Sequence, residues 1–571
     1  MKKFINRPED VVEEMLQGLS VLHPGSVRLF GHKVMIRADE EQDRDRQVAI
    51  LSGGGSGHEP AHAGYIGAGM LSAAVLGEIF TSPSSDSVFA AIKAVTGKSG
   101  ALLVVKNYTG DRLNFGLGAE MARAEGIPVE IVIVDDDVAL KETAPMAGVR
   151  GLAGTVFIHK LVGAAAAEGK SLAEIVKIGR NAVMSLATMG VSFSAGTSPA
   201  VGRPSFDLGD DEMEIGLGIH GEPGVTRSRL QSADELTEML LTEILKHGEF
   251  GGSKRVAVML NNLGASPHME LAIVARHVVP FLEAKGCTVE RIYAGTFLSS
   301  LDMAGISISL LGVDDERLRW LDAITTAPAW PNVLNKRPSQ TKHYSPEVGN
   351  TKSSIRQGAL TTRGVRLKRI IEAACDALIH AERELTELDR MTGDGDLGTN
   401  MKRAAEVVLA SADTYPLEDV PATLIALAHT LRRELGGSSG PLYGVLFLRC
   451  GVVLSESEEV GLAQWARALY QGCRGISELG GANPGDRTML DALDPFTRSL
   501  ARAEGPVSRE VLMAAVESAE RGAESTARMK ARLGRSSYLG DRVLGYPDPG
   551  AKAVAIWLRA AYESFPPELL S

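Results

Sequence analysis

From about residue 45 to 315 the chain repeats one pattern, a short β-rich apolar run that stops at glycine or a polar turn and is followed by a stretch of helical spacing. VAIL (48–51) leads into SGGGSGHEP, ALLVV (101–105) into KNYTGD, and VEIVIV (129–134) into DDD. Runs that are apolar on both faces suit buried parallel strands, and the Ala-rich segments between them suit crossover helices, so this half is expected to be α/β. A polar Gly/Asp-rich stretch at 202–213 interrupts the pattern before RVAVML (255–260), TVERIYA (288–294) and ISISLL (306–311) resume it, which predicts two α/β lobes, about 1–190 and 191–330. Residues 331–360, rich in Pro, Ser, Thr, Asn and Lys without a sustained apolar period, are expected to be a linker. Beyond it, from 361 to 571, helical spacing at 365–388, 421–434, 507–532 and 550–562 with almost no β-branched runs predicts an all-helical domain.

The charge balance narrows the function classes. With 60 basic against 71 acidic side chains and a net charge of -11, the chain lacks the basic excess of a protein that neutralises a nucleic-acid backbone. Its four cysteines, Cys287, Cys375, Cys450 and Cys473, lie far apart with no CxxC pair, which fits neither a disulfide framework nor a zinc site and suits a reducing cytosol. The N-terminal segment has no apolar core of a secretory signal, because charges return at Arg7, Glu9 and Asp10. No run approaches the ~20 apolar residues of a membrane span.

Three aspartates, Asp389, Asp394 and Asp396, fall in the Gly-rich turn of ELDRMTGDGDLGTNMKRAAE (387–406). Carboxylates that crowded repel one another unless a cation lies among them, and hard oxygen donors favour Mg²⁺ or Ca²⁺. An EF-hand loop counted from Asp394 would need glutamate at its twelfth position, where this chain has Ala405. Magnesium suits a few carboxylates and leaves positions for phosphate; an acidic solvated turn is the alternative. LGGSSGPLYG (435–444) offers the amides and hydroxyls of Ser438 and Ser439 to an anion just ahead of a helix-like segment. GRSSYLGDRVLGYPDPGAKA (534–553) adds Arg535, a guanidinium suited to phosphate or to an ordinary ion pair, and Asp548 in a Pro-Gly turn. The chain has no P-loop and no protein-kinase HRD or DFG pair, and its two GxGxxG stretches (216–221, 393–398) do not fit a Rossmann fingerprint.

In the α/β half, LSGGGSGHEPAHAGYIGAGM (51–70) is expected to form a loop at the carboxyl end of a strand, where open α/β sheets bind ligands, and it carries His58. VVKNYTGDRLNFG (104–116) presents Lys106 and Asp111 after the next strand, and EIGLGIHGEPG (214–224) sets His220 among glycines. Any one of these histidines alone is more simply structural. Three such loops describe a polar site for a small hydroxylated molecule.

These motifs, with GVRGLAGTVFIHK (148–160), GTFLSSLDMAGISISLL (295–311), GDRTMLDAL (485–493) and GRSSYLGDR, resemble the dihydroxyacetone kinases in their single-chain, ATP-dependent form, in family order over nearly the whole chain. The resemblance implies a ketose-binding K domain over 1–330 and an L domain, a barrel of antiparallel helices binding Mg-ATP, over 361–571. It implies that His220 forms a covalent hemiaminal with the substrate carbonyl, that His58 and Asp111 contact substrate hydroxyls with Asp111 as the base, and that Gly55, Ser56, Gly57 and Lys106 line the pocket. It places two Mg²⁺ on Asp389, Asp394 and Asp396, and the nucleotide among Leu397, Gly398, Thr399, Asn400, Ser438, Ser439, Met489, Arg535, Asp548, Pro549 and Gly550. Leu397 departs from the family, where a small polar residue commonly follows GDGD. A homodimer, a preference for another short ketose such as erythrulose, an FAD-splitting FMN cyclase activity and a phosphorelay-fed subunit are further properties of relatives.

Overall fold

The apolar runs of the first lobe become β1 (Ser26–Arg28), β2 (Val34–Arg37), β3 (Ala49–Ser56), β4 (Ala73–Ile79), β5 (Ala101–Lys106) and β6 (Val129–Val134). In the computed structural model, which describes residues 2–141, 149–222, 224–332, 360–457, 461–503, 508–533 and 535–565, they form one sheet in the order β1-β2-β4-β3-β5-β6. Strands β4, β3, β5 and β6 are parallel, and β1 and β2 extend one edge antiparallel. Both faces of β3 and β5 are buried, as their uninterrupted apolar character requires.

The second sheet corrects the expectation of parallel strands. It contains β7 (Leu186–Ser192), β8 (Glu212–Ile215), β9 (Thr226–Arg229), β10 (Arg255–Asn262), β11 (Thr288–Gly295) and β12 (Gly305–Gly312), in the order β11-β10-β12-β7-β8-β9. Only β10 and β11, joined by the crossover helix His268–Ala284, run parallel; every other pairing is antiparallel. A doubly apolar run reports that both faces are covered, whereas direction depends on the connection, and the short loop from β11 sends β12 back along the far side of β10.

The Ala-rich run at 161–167 belongs to the helix Thr155–Ala167, buried from Thr155 to Ala166. Residues of both sheets share one apolar core with it, including Ile50, Val104, Met259 and Leu311. Lys160, inside that helix, keeps its ammonium paired by donating to the carbonyls of Trp320 (2.8 Å) and Ala323 (2.6 Å). This half is one unit, Met1–His343; Tyr344–Ser571 is the other. The expected linker falls almost wholly on residues outside those described.

The second unit is all-helical. The stretch expected as one helix over 365–388 divides at Ala381 into Thr362–His380 and Glu382–Thr392. The apolar spacing runs through that break because Ile371, Cys375 and Leu385 all enter the same core. Thr362–His380, Leu397–Ala410, Val420–Glu434, Ser439–Ser455, Leu462–Gly480, Leu490–Arg502, Arg509–Ser525 and Pro549–Glu563 pack each on the next, and the last returns to the first. The result is a closed ring of eight helices with an apolar interior cavity of about 480 Å³. Side chains of Thr361, Asp419, Ser508 and Asp548 cap helix N-termini by accepting a backbone N–H. Among the described residues no helix is long and apolar enough to cross a membrane.

Candidate functional site

Clusters of functional residues stand out in each unit. In the α/β unit, adjacent parallel strands β3 and β5 end at the same edge of their sheet, so the segments that follow them lie side by side. Strand β3 continues through Gly53–Gly55 to Ser56, further than the expected loop. Bare glycine backbone permits this: Gly54 has φ +148°, and a Cβ there would come within 2.6 Å of Lys106 Nζ. His58 follows directly. Lys106 is the last residue of β5, and Asp111 lies in the first turn of the helix Thr109–Ala124.

His220 comes from the β8–β9 connection and reaches the same place, its ring edge 4.8 Å from His58, 4.5 Å from Tyr108 and 5.4 Å from Phe80, centroid to centroid. The loop after β11 holds the parts together. Ser299 takes the Nδ1–H of His58 on its carbonyl (2.9 Å), Leu301 N–H donates to Gly57 O (2.8 Å), and the Ser300 hydroxyl donates to Ile219 O (2.6 Å).

These bonds assign the imidazoles. His58, fully buried and stacked on Phe80, spends its proton on Ser299 and presents Nε2 as a lone pair with no partner among the described residues. Burial, helped by the neighbouring Lys106 charge, holds His58 well below its ordinary value, so it stays neutral. His220 donates Nδ1–H to Glu222 Oε1 at 3.0 Å, while the other carboxylate oxygen accepts the His220 backbone N–H at 2.8 Å. Burial works to raise the Glu222 carboxyl, yet the hydrogen bonds it accepts from the His220 ring and backbone prevail and hold it at about 2. Nε2 of His220 is therefore the ring nitrogen available for chemistry. Asp111 accepts from the Ser82 hydroxyl and lies 3.7 Å from Lys106 Nζ, both acid and base buried.

Sequence reasoning passed over Glu222, Tyr108, Phe80, Ser82 and Ser299. Glu222 was visible two residues after His220; the others are ordinary residues that only the chain path brings here. Lys106 differs in kind from an open pocket wall, since its three donors face Gly53 O (3.2 Å), His62 Nε2 (2.9 Å) and Asp111.

In the helical unit, the helix Glu382–Thr392 and the helix Leu397–Ala410 meet at the aspartate turn, where one oxygen from each of Asp389, Asp394 and Asp396 lies within 4.8 Å of the others. Asp389 Oδ2 also accepts from the backbone N–H of Asp396 (2.9 Å) and Leu397 (3.1 Å), which locks the turn. Three hard oxygen donors at that spacing fit a Mg²⁺-type ion. The Leu397 side chain turns to the apolar core, leaving its backbone at the turn. Asn400, on the next turn of that helix, abuts Gly436, and Ser438 and Ser439 begin the helix Ser439–Ser455 just beyond. The Ser536 hydroxyl donates to Thr392 O (2.6 Å), which brings the 535–543 segment to the aspartate turn; the Arg535 side chain is outside those described.

A second cluster in this unit joins Met489 to the start of Pro549–Glu563. Gly550 lies against Met489, and buried Asp548 caps the helix through Ala551 N–H (2.8 Å), its carboxyl pushed up to about 6 by burial. Lys552, one turn on, pairs with Glu384 at 3.5 Å, so this helix starts beside the one that ends at the aspartates.

Fold and clusters define a two-unit protein: an α/β half that gathers two histidines and a carboxylate where strands β3 and β5 end, and a helical ring with three carboxylates spaced for a divalent ion beside a Gly-Ser turn. The Dak1 domain matches residues 17–329 and the DAK2 domain residues 391–563. A putative 3,4-dihydroxy-2-butanone kinase of Solanum lycopersicum is 44% identical over 98% of this chain and 97% of its own length, and a triokinase/FMN cyclase of Homo sapiens is 42% identical over 98% and 99%. The solved dihydroxyacetone kinase from C. freundii, in complex with AMP-PNP and Mg²⁺, superposes with a TM-score of 0.63 at 32% identity, covering 99% of this chain and all of that one. The chain belongs to the dihydroxyacetone kinase family, with its Dak1 and DAK2 domains joined in one polypeptide.

Proposed function

We propose that the protein is an ATP-dependent kinase that phosphorylates dihydroxyacetone, held as a hemiaminal on His220. The observation that carries this reading is the His220–Glu222 pair, which commits Nδ1–H and leaves the Nε2 lone pair beside an unpartnered His58 nitrogen. Attack of Nε2 on the ketose carbonyl forms a C–N bond, the π pair moves to oxygen, and that oxygen takes a proton from solvent water, while Nδ1–H stays on the ring. The ring's positive charge is balanced by the Glu222 carboxylate. With the carbon anchored, His58 Nε2 accepts from one substrate hydroxyl and Asp111 takes the proton of the hydroxyl that attacks the γ-phosphorus, ADP leaving.

Asp389, Asp394 and Asp396 would hold Mg²⁺, two ions by the family's count, and the metal supplies neutralisation of phosphate charge. The backbone at Leu397, Gly398, Thr399 and Asn400, with Ser438, Ser439, Met489, Arg535, Asp548, Pro549 and Gly550, would receive the nucleotide. The family also supports a homodimer, and four free thiols support a reducing cytosol.

An ATP-coupled assay across dihydroxyacetone, glyceraldehyde, both erythrulose enantiomers and glycerol tests the reading. Dihydroxyacetone should turn over, with kcat/KM for glycerol lower by at least ~100-fold because it has no carbonyl to capture. Equal use of glycerol would overturn it. A second reading, FMN cyclase activity at the helical site, is favoured by the relative named for both activities, and incubation with FAD and Mn²⁺ reports it.

Glu222→Gln keeps an oxygen for Nδ1–H and removes the charge. It should lower kcat/KM for dihydroxyacetone by roughly 10- to 100-fold while KM for ATP stays unchanged. An unaltered kcat/KM would show that the charge is not used.

A further inference from the structure

Beside Asp111 lies a buried line of three side chains, two of which the proposed reaction leaves unused: Lys106, His62 and His159, none more than 2% exposed. An ammonium has three N–H groups and no lone pair, so His62 Nε2, 2.9 Å from Lys106 Nζ, must accept. The proton of His62 then sits on Nδ1. Two neighbours agree with that placement. His159 Nε2 is 3.0 Å from Nδ1, and the Ser52 hydroxyl, whose own proton goes to Val104 O at 2.7 Å, turns its oxygen to the same nitrogen at 3.5 Å. His159 in turn carries its proton on Nδ1, a buried atom with no partner among the described residues. Burial holds both imidazoles below their ordinary value, His159 at about 3, so the line stays neutral beyond the lysine.

The consequence concerns Asp111. Ser82 occupies Oδ1, and Lys106 stands 3.7 Å from Oδ2, near enough for attraction but outside hydrogen-bond contact. Without an acceptor at His62, the ammonium would close on Oδ2 and occupy the oxygen a substrate hydroxyl needs.

We propose that His62, its tautomer set by Ser52 and His159, is a positioning residue that holds the Lys106 ammonium back from Asp111 and keeps that carboxylate open to the substrate. This rests on the reading of Asp111 as the base. In the full-length protein, His62→Leu should lower kcat with dihydroxyacetone and ATP at least about tenfold, with KM within about twofold and the ketose adduct on His220 still visible by intact mass. His62→Gln, whose amide oxygen can accept from Lys106, should recover kcat to within about threefold of wild type. Turnover of His62→Leu matching wild type, or His62→Gln falling as far as His62→Leu, would overturn the proposal. A readout independent of activity and of the Leu variant's folding is the long-range ¹H–¹⁵N spectrum of histidine-labelled wild type. His62, assigned by its loss in His62→Gln, should be the Nδ1–H tautomer, and an Nε2–H His62 refutes the idea. Full turnover by Asp111→Asn would instead remove the base assignment and leave the tautomer result standing.

Discussion

Asp394→Asn should abolish most ketose phosphorylation, by on the order of 10³-fold in kcat, while the protein still captures dihydroxyacetone on His220. Asp394 is the choice among the three carboxylates because Asp389 also fastens the turn by accepting two backbone N–H groups and Asp396, exposed like Asp394, stands at the N-cap of the helix Leu397–Ala410. Replacing it removes one negative charge and exchanges one of its two oxygens for an amide nitrogen, in a cluster whose oxygens lie within 4.8 Å of one another. Phosphoryl transfer depends chiefly on placing and neutralising phosphate charge, so the loss falls on kcat rather than on the ketose KM. Intact-protein mass spectrometry with dihydroxyacetone alone measures capture separately. Turnover within threefold of wild type would sink the metal assignment, and loss of the adduct as well would mean that the variant damages more than the ion site.

His220→Ala carries the other large effect. The nitrogen that forms the bond to the substrate disappears, and with it the selection of ketone over alcohol. Dihydroxyacetone turnover should fall by on the order of 10³-fold, the scale on which lost tethering and orientation act. The adduct should vanish, and the preference for dihydroxyacetone over glycerol should shrink. Cleavage of FAD, if it occurs at the helical site, should persist, because His220 belongs to the α/β unit and the aspartates to the helical one. The ring is only partly buried, its side chain 17% exposed, so the melting temperature should change little. A His220→Ala protein that phosphorylates dihydroxyacetone at the wild-type rate would remove the hemiaminal.

The site residues that a reader of the sequence can find share a property: each lies within four residues of a glycine, in or beside a stretch that stops a strand or joins two helices. His58, Asp111, His220 and the three aspartates are visible for that reason, since a charged or titratable group in a segment freed of side chains has few purely structural uses. Glu222 shares the stretch of His220 and was passed over because a glutamate in a turn is ordinarily solvated. His62 and His159 were harder. They lie 97 residues apart, and only the packing of the helix Thr155–Ala167 against the first sheet brings their nitrogens to 3.0 Å.

Local chemistry along the chain determined which segments are strands, which are helices, and that one half is α/β and the other helical, because periodicity and glycine placement act within a few residues. The tertiary structure decided the direction of the strands in the second sheet, the closing of the helical ring and the proton on each imidazole. Strand direction and ring closure follow the path of the connections, and a histidine's tautomer follows whichever donor or acceptor the fold sets against it. None of these is a property of neighbouring residues.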